Sequence, residues 1–258
     1  MLKYMGQCTL CNIQTKFVDA HIIPKWAYRY LYPEDKEAKK KSLIFVSKEQ
    51  PVKRPIGIYD SNILCAECDK ILGKLDEYGK VVLLDKKFIK YKNTDYIYFL
   101  ETVDVNKLKL FLLSILWRSS ISKRKEFNRI NIGPYEEKIR NILILQKENK
   151  TKQIIDYDFI ITKFEDGDFP NINQKNIQIP RCEKIDSVNM GVIYFPRGIK
   201  VYVKVDQRPF PSNLQKVTAG SIKEGALVIS MGRFQESNDF VSLLRTINNN
   251  KNHGYSTK

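Results

Sequence analysis

The spacing of apolar residues along the chain predicts several helices. Between residues 66 and 79, Ile71, Leu72 and Leu75 fall on one helical face, and Gly79 is a typical helix stop. Asn106 is a candidate N-cap for an apolar helix over residues 107–121, which its composition marks as buried. The other predicted helices cover residues 25–32, residues 134–146 and a last segment that starts at Asn238 or Asp239 and ends near residue 247.

A second pattern, alternation of apolar and polar residues, indicates strands. It is clearest over residues 199–205. Further strands are predicted over residues 17–23, 43–46, 154–164, 177–179, 192–195 and 226–231. Helices and strands that occur in separate runs are typical of the α+β class. We therefore expect two domains, over residues 1–92 and 95–248, followed by a disordered tail over residues 249–258.

Four cysteines form two C-x-x-C pairs, which are Cys8 with Cys11 and Cys65 with Cys68. Each pair can direct two thiolates at one ion from a single turn of backbone, and two pairs complete a tetrahedral site that suits zinc. A redox dithiol is the first alternative, but two matched pairs without a βαβ pattern argue against it. Disulfides are the second alternative, and no signal sequence precedes the cysteines. Cys182 stands alone, and we expect it to be a free thiol in the core or on a strand.

Composition narrows the class of protein. The chain has 258 residues, of which 43% are hydrophobic and 28% are charged, and no apolar run is long enough for a membrane span. Its 44 basic and 29 acidic residues give a net charge of +15, which attracts polyanions and makes nucleic acid the leading partner. A Lys-rich composition without any partner is the alternative. Reduced thiols and the absence of a signal sequence predict a cytoplasmic protein.

Three residues close to the cysteine pairs suit phosphodiester hydrolysis. His21 can act as a base, because neutral imidazole is present near pH 7. Asn62 precedes the second pair and can fix a loop or orient the imidazole. Asp69 follows Cys68 at the start of a predicted helix and offers a hard oxygen ligand for a divalent ion such as Mg²⁺ or Mn²⁺.

These segments together resemble the zinc-containing branch of the HNH endonucleases. The resemblance rests on Cys8-x-x-Cys11, on Ala20-His21-Ile22-Ile23-Pro24 and on Asn62-Ile63-Leu64-Cys65-x-x-Cys68-Asp69, and it covers roughly residues 8–80. It implies a treble-clef, or ββα-metal, finger with a structural zinc on the four cysteines. It also implies that His21 is the general base, that Asn62 is the middle Asn of the motif and that Asp69 helps to bind a catalytic Mg²⁺ or Mn²⁺. The expected activity is hydrolysis of nucleic acid, with DNA favoured over RNA.

One position departs from that family, and it keeps a second interpretation open. Many members carry an acid or a second His immediately before the base, as a metal ligand, whereas this chain has Ala20. The alternative is a zinc-finger module that has lost catalysis and binds nucleic acid or a protein. In either interpretation the C-terminal domain supplies substrate selection or a surface for a protein partner. We expect Trp117 and Arg118 to anchor the two domains to each other.

Overall fold

The computed structural model describes residues 5–31, 43–44, 52–53, 57–92, 94–128, 130–147, 157–168, 175, 177–222 and 225–252. The protein is a mixed structure of helices and strands with the four paired cysteines near its N-terminus, so the α+β prediction is confirmed. No helix within the described ranges has both the length and the apolar character needed to span a membrane.

The N-terminal part consists of short strand pairs and two helices. Strands β1 and β2 form a hairpin, β3 pairs antiparallel with β6, and β4 pairs with β5. The elements are β1 (Met5–Gln7), β2 (Gln14–Lys16), β3 (Ala20–His21), α1 (Lys25–Arg29), β4 (Leu43–Ile44), β5 (Val52–Lys53), β6 (Tyr59–Asp60) and α2 (Ala66–Lys80).

The rest of the chain builds a seven-stranded sheet and the helices that pack on it. The elements are β7 (Ile89–Lys90), β8 (Ile97–Glu101), α3 (Val105–Ile121), α4 (Tyr135–Lys147), β9 (Phe159–Glu165), β10 (Arg181–Ile185), β11 (Val188–Phe195), β12 (Ile199–Lys204), α5 (Ser212–Gln215), β13 (Gly225–Arg233) and α6 (Asn238–Asn252). The strand order is β10-β11-β12-β9-β13-β8-β7, and every pair is antiparallel except β13 with β9. Helix α3 lies on β11, where a Cβ on Gly191 would come within 2.4 Å of Leu116.

Two of the predicted helix ends are wrong. Asp104, not Asn106, caps α3, because its Oδ1 accepts a hydrogen bond from the Lys107 N–H at 3.0 Å. Gly79 does not end α2, which continues to Lys80 and then into a π-helical turn over Val81–Asp85. Instead, Gly79 makes room for the neighbouring helix, since a Cβ there would lie 2.4 Å from the Phe111 ring.

The strand predictions differ from the structure at several places. Residues 177–179 were predicted as a strand but are not in one. Strands β8 and β10 are present but were not predicted from the pattern. The last helix continues to Asn252, past the predicted end near residue 247, so residues 249–252 of the predicted tail are helical. Residues 253–258, and the predicted strand positions 45–46 and 154–156, lie outside the described residues.

One hydrophobic core joins the N-terminal part to the sheet. Trp26 of α1 stacks on Phe111 of α3 and on Phe195 of β11, with ring centroids 6.2 Å and 5.7 Å apart. The predicted boundary at residues 92–95 falls inside the β7–β8 hairpin at the edge of the sheet. The division into two domains therefore stays a prediction, and the two parts share buried apolar residues across it.

A buried ion pair reinforces this junction. Arg118 of α3 is 1% exposed and forms a two-pronged contact with Asp76 of α2, at 3.0 Å and 2.6 Å. Its guanidinium also donates to the carbonyl of His21 at 2.8 Å and to the carbonyl of Ser114 at 3.2 Å. The Trp26 indole N–H donates to the Asp76 carbonyl at 2.9 Å. Arg118 thus connects α3, α2 and β3, as expected of an anchor between the two parts.

The Arg118–Asp76 pair yields a prediction about stability. Asp76→Ala leaves a buried guanidinium without its counter-charge, and we expect the free energy of unfolding to fall by about 3–5 kcal/mol. The double variant Asp76→Leu with Arg118→Met removes both charges, so it should lose clearly less. Urea titration of the two variants and of wild type measures the difference. Equal losses in the single and double variants would contradict this account of the pair.

Candidate metal centre and active site

The first cysteine pair lies in the turn of the β1–β2 hairpin. Cys8 N–H donates to the Ile13 carbonyl at 3.0 Å, and Asn12 N–H donates to the Cys8 carbonyl at 2.8 Å. Asn12 closes this turn in the left-handed conformation, with φ of 59°, which Asn tolerates better than most residues. The turn brings Cys8 and Cys11 back onto one side of the chain.

The second pair begins helix α2. Cys65 is the N-cap, and its Sγ accepts from the Cys68 N–H at 3.4 Å. The Cys65 N–H in turn donates to Sγ of Cys8 at 3.4 Å. Backbone hydrogen bonds from Thr9 N–H to the Ile63 carbonyl (2.9 Å) and from Val18 N–H to the Leu64 carbonyl (3.0 Å) hold the two turns together.

The four sulfur atoms fit a tetrahedral metal site. They lie within 4.8 Å of one another, and Sγ of Cys11 is 4.0 Å from Sγ of Cys65. A tetrahedron with zinc–sulfur bonds of about 2.3 Å has sulfur–sulfur edges of about 3.8 Å. Cys8 and Cys68 are fully buried and Cys11 is half-buried. This cluster is a candidate metal site whose donor set is consistent with zinc.

Hydrogen bonds and burial shift the pKa values of the clustered thiols in opposite directions. A hydrogen bond from Cys68 lowers the pKa of Cys8 to about 4, although burial acts in the opposite direction. The hydrogen bond to Cys8, together with burial, raises the pKa of Cys68 well above its ordinary value. Hydrogen bonding within the cluster thus favours ionisation of the Cys8 thiol before that of Cys68. Charge from a divalent cation is what would allow all four groups to ionise.

His21 lies on β3, in the two-stranded ribbon that β3 forms with β6. It is half-buried and lies opposite Tyr59 in the antiparallel strand pairing. The centroids of the His21 and Tyr59 rings are 6.1 Å apart, and the angle between the ring planes is 54°. The Arg118 guanidinium fixes the His21 carbonyl at 2.8 Å. The backbone that carries His21 is thus held from the neighbouring helix α3.

Asp69 lies in the first turn of α2 and is half-buried. Burial raises the pKa of its carboxyl above the ordinary value, while the charges of Arg118 and His21 act to lower it and that of Asp76 to raise it. Asp69 therefore lies within the electrostatic influence of His21 and of the Arg118–Asp76 pair. Asp76 itself, two helical turns after Asp69, is engaged by Arg118.

Asn62 follows β6 in the turn that leads to Cys65. Its side chain is exposed, and its N–H donates to Oδ1 of Asp60 at 3.0 Å. The same carboxylate accepts from the Ser122 hydroxyl at 2.7 Å. Asn62 therefore stands at the end of the strand that pairs with the His21 strand.

Several polar residues near these positions were not singled out from the sequence. Asp60 is 4% exposed and holds the Asn62 turn in place. In the sequence, however, an Asp followed by Ser and Asn is typical of ordinary turns and does not indicate a special role. Asp19 accepts from the Ser61 hydroxyl at 2.7 Å, which places a carboxylate at the outer end of the ribbon. Arg124 donates to the Tyr59 carbonyl at 3.0 Å. These long-range contacts leave no periodic signal in the sequence.

Ala20, where many HNH members have a metal ligand, is fully buried. It lies opposite Asp60 in the ribbon register, whereas His21 lies opposite Tyr59. Successive side chains of a strand point to opposite faces, so Ala20 faces the interior and His21 faces the other way.

Comparison with known proteins adds no relative: no family model, curated protein or solved structure matches the chain.

The cysteine cluster yields a second prediction. Purified protein should contain about one zinc ion per chain, and Cys65→Ser should lose it and unfold at a lower temperature, because zinc binding contributes directly to folding. Cys182→Ser is the matched control, since Cys182 is exposed on β10 and remote in sequence from the cluster. Metal analysis by plasma emission and thermal melts measure both effects. The assignment is refuted if the wild-type protein contains no zinc and its melting temperature does not change when a chelator is added.

Proposed function

We propose that this protein is a zinc-finger nuclease of the HNH type, which hydrolyses phosphodiester bonds in nucleic acid. The observation that carries the proposal is that Asp69 directly follows the four-cysteine cluster at the start of α2 and that the charge of His21 acts on its carboxyl. A base, a hard oxygen ligand and a rigid metal-clamped frame are the components that such a site needs.

A treble-clef arrangement of the finger accords with this proposal. The chain runs from a hairpin that carries the first cysteine pair, through the β3–β6 ribbon, to a helix that starts at the second pair. Zinc on the four cysteines would clamp the hairpin to the start of α2. The ribbon and the first turn of α2 then present His21 and Asp69 from a rigid frame.

In the proposed reaction His21 takes a proton from the attacking water. The hydrogen bond from Arg118 to the His21 carbonyl holds the strand that carries this base in position. Asn62, at the end of the partner strand, would steady the turn beside the site. A divalent ion such as Mg²⁺ or Mn²⁺, held by Asp69, would supply positive charge for the phosphate and the leaving oxygen.

The charge of the chain supports nucleic acid as the substrate. A net charge of +15 favours association with a polyanion. Trp26 and Tyr28 do not add to this argument, because both are buried in the core rather than exposed for stacking on bases. We propose DNA before RNA as the substrate, on the resemblance to the HNH family alone.

A second candidate function is a binding module without catalysis. It is favoured by Ala20, which offers no ligand where many HNH members have one. In that case the zinc finger would bind nucleic acid or a protein partner, and His21 would only pack against Tyr59. Binding without cleavage under all tested metal conditions would select this candidate.

The proposal predicts the effect of removing the base. His21→Ala should reduce Mg²⁺- or Mn²⁺-dependent cleavage by about 100-fold or more, while zinc content and melting temperature stay near wild type. The other histidine in the sequence, His253, gives the matched control His253→Ala, which should cleave normally. A gel assay with DNA and RNA substrates measures the rates. Equal rates for wild type and His21→Ala would exclude His21 as the base.

Asp69 gives a separate prediction about metal dependence. Asp69→Ala removes the hard ligand, so half-maximal cleavage should require at least about tenfold more Mg²⁺. Glu77→Ala is the control, because Glu77 is an exposed carboxylate two turns later on the same helix. Metal titrations of the cleavage rate decide the matter. The assignment of Asp69 fails if both variants need the same Mg²⁺ concentration as wild type.

A further inference from the structure

A cleft lies beside the four-cysteine cluster, between the β1–β2 hairpin and the start of α2. Its volume is about 530 Å³, and it is partly open to solvent. Ile13 and Phe17 belong to one wall of the cleft, and Ala66, the first residue of α2, belongs to the other. A small solute can therefore enter the cleft from outside the protein.

The cleft divides the four cysteines into two classes. The described residues that line it include Cys11 and Cys65 but neither Cys8 nor Cys68. Burial agrees with this division, because Cys11 is half-buried and Cys65 is 7% exposed, whereas Cys8 and Cys68 are fully buried. A solute in the cleft thus meets one cysteine of each C-x-x-C pair, and it meets Cys11 first.

The two cysteines of the cleft are also close to each other. Their Sγ atoms are 4.0 Å apart. A disulfide has about 2.05 Å between its sulfur atoms, so the hairpin turn that carries Cys11 has to move by roughly 2 Å to close the gap. Asn12 and Ile13, which follow Cys11 in this turn, are exposed and leave it room to move. As metal ligands, both cysteines would be thiolates, the form that oxidants attack.

We propose that Cys11 and Cys65 form a peroxide-sensitive modification site, at which a disulfide between the two C-x-x-C pairs releases the bound metal. The inference rests on the four-cysteine metal site and does not depend on the nuclease function. Hydrogen peroxide suits the cleft because it is small and uncharged, so neither Lys16 nor Glu67, the charged residues of the walls, repels it.

The reaction has two steps and consumes one peroxide. The Cys11 sulfur attacks one peroxide oxygen, the O–O bond breaks, and the departing hydroxide takes a proton from solvent, which leaves a sulfenic acid on Cys11. The Cys65 sulfur then attacks the Cys11 sulfur, the S–S bond forms, the S–O bond breaks, and the second hydroxide is protonated to water. The two sulfurs together lose two electrons, which reduce the peroxide to two waters. Cys8 and Cys68 alone cannot complete a tetrahedral site, so the metal leaves.

The new bond would join the two segments that the metal joins. Cys11 lies in the hairpin turn, and Cys65 is the N-cap of α2. The hydrogen bond from the Val18 N–H to the Leu64 carbonyl, at 3.0 Å, involves neither sulfur and would remain. We therefore expect the oxidised finger to keep its backbone arrangement and to regain its metal after reduction. A disulfide between Cys8 and Cys11 would lack this property, because it would not attach the hairpin to α2.

The test follows metal release in the full chain, in a Cys182→Ser background that keeps only the four clustered cysteines. Hydrogen peroxide is added to the zinc-loaded protein, a colorimetric zinc indicator reports release, and mass spectrometry of unreduced peptides identifies the disulfide. We expect release of about one zinc ion per chain together with a Cys11–Cys65 linkage. Reduction with dithiothreitol, followed by addition of zinc, should restore the zinc content.

A cleft-filling variant tests the route of the oxidant. Ala66 is exposed and lines the cleft, so the ring of Ala66→Phe narrows the entrance. Zinc release from this variant should slow by about threefold or more, because thiol oxidation depends on access. Asn141→Phe, at an exposed position of α4, adds the same ring elsewhere and should release zinc as fast as the parent protein. The disulfide assignment in the parent protein needs no cleft variant, so it decides the pairing even if Ala66→Phe fails to fold.

Several outcomes would overturn the proposal. A disulfide within one C-x-x-C pair would contradict the pairing, and zinc that stays bound at peroxide levels that oxidise free glutathione would contradict the sensitivity. Equal release rates in Ala66→Phe and Asn141→Phe would exclude the cleft as the route, and a protein that binds no metal would refute the site itself. None of these measurements involves nucleic acid, so failure here is distinct from failure of the proposed nuclease function.

Discussion

The buried guanidinium of Arg118 is the contact on which the geometry of the finger depends. It is 1% exposed, so each of its donors needs a partner within the protein, and the partners come from Asp76, from the His21 carbonyl and from Ser114. Because these groups belong to α2, β3 and α3, the finger and the C-terminal part fix each other. A finger cut away after residue 92 would lose the counter-charge of Asp76 and the stacking of Trp26 on Phe111 and Phe195. Metal binding alone would therefore not restore the positions of His21 and Asp69.

The same ion pair sets the charge that the candidate site can offer to a cation. Arg118 and Asp76 neutralise each other, whereas among the described residues Asp69 has no hydrogen-bonded counter-charge. Mg²⁺ is usually bound by one or two carboxylates together with substrate phosphates. We therefore expect weak binding of Mg²⁺ to the free protein and much stronger binding once a phosphate oxygen completes the ligand set.

The sequence predicted local features well and long-range ones poorly, for physical reasons. The cysteine cluster was predictable because metal ligation fixes residue type and spacing within each pair. The apolar helix α3 was predictable from composition, but its cap was not, since Asp104 and Asn106 both have suitable side chains and only the backbone geometry decides between them. Gly79 looked like a stop because sequence does not show the Phe111 ring that packs on it. The Arg118–Asp76 pair joins residues 42 positions apart, and no periodicity marks such a contact.

Ala20, in place of the metal ligand found in many HNH members, argues less strongly against catalysis than the sequence motif alone indicates. Its side chain is fully buried and faces the same side of the ribbon as Asp60, whereas His21 faces the opposite side with Tyr59. A carboxylate at position 20 would have to lie in the core beside the buried Asp60, where two like charges would repel each other. In this ribbon, a ligand that assists His21 has to come from the His21 face or from α2. Asp69, in the first turn of α2, meets that condition.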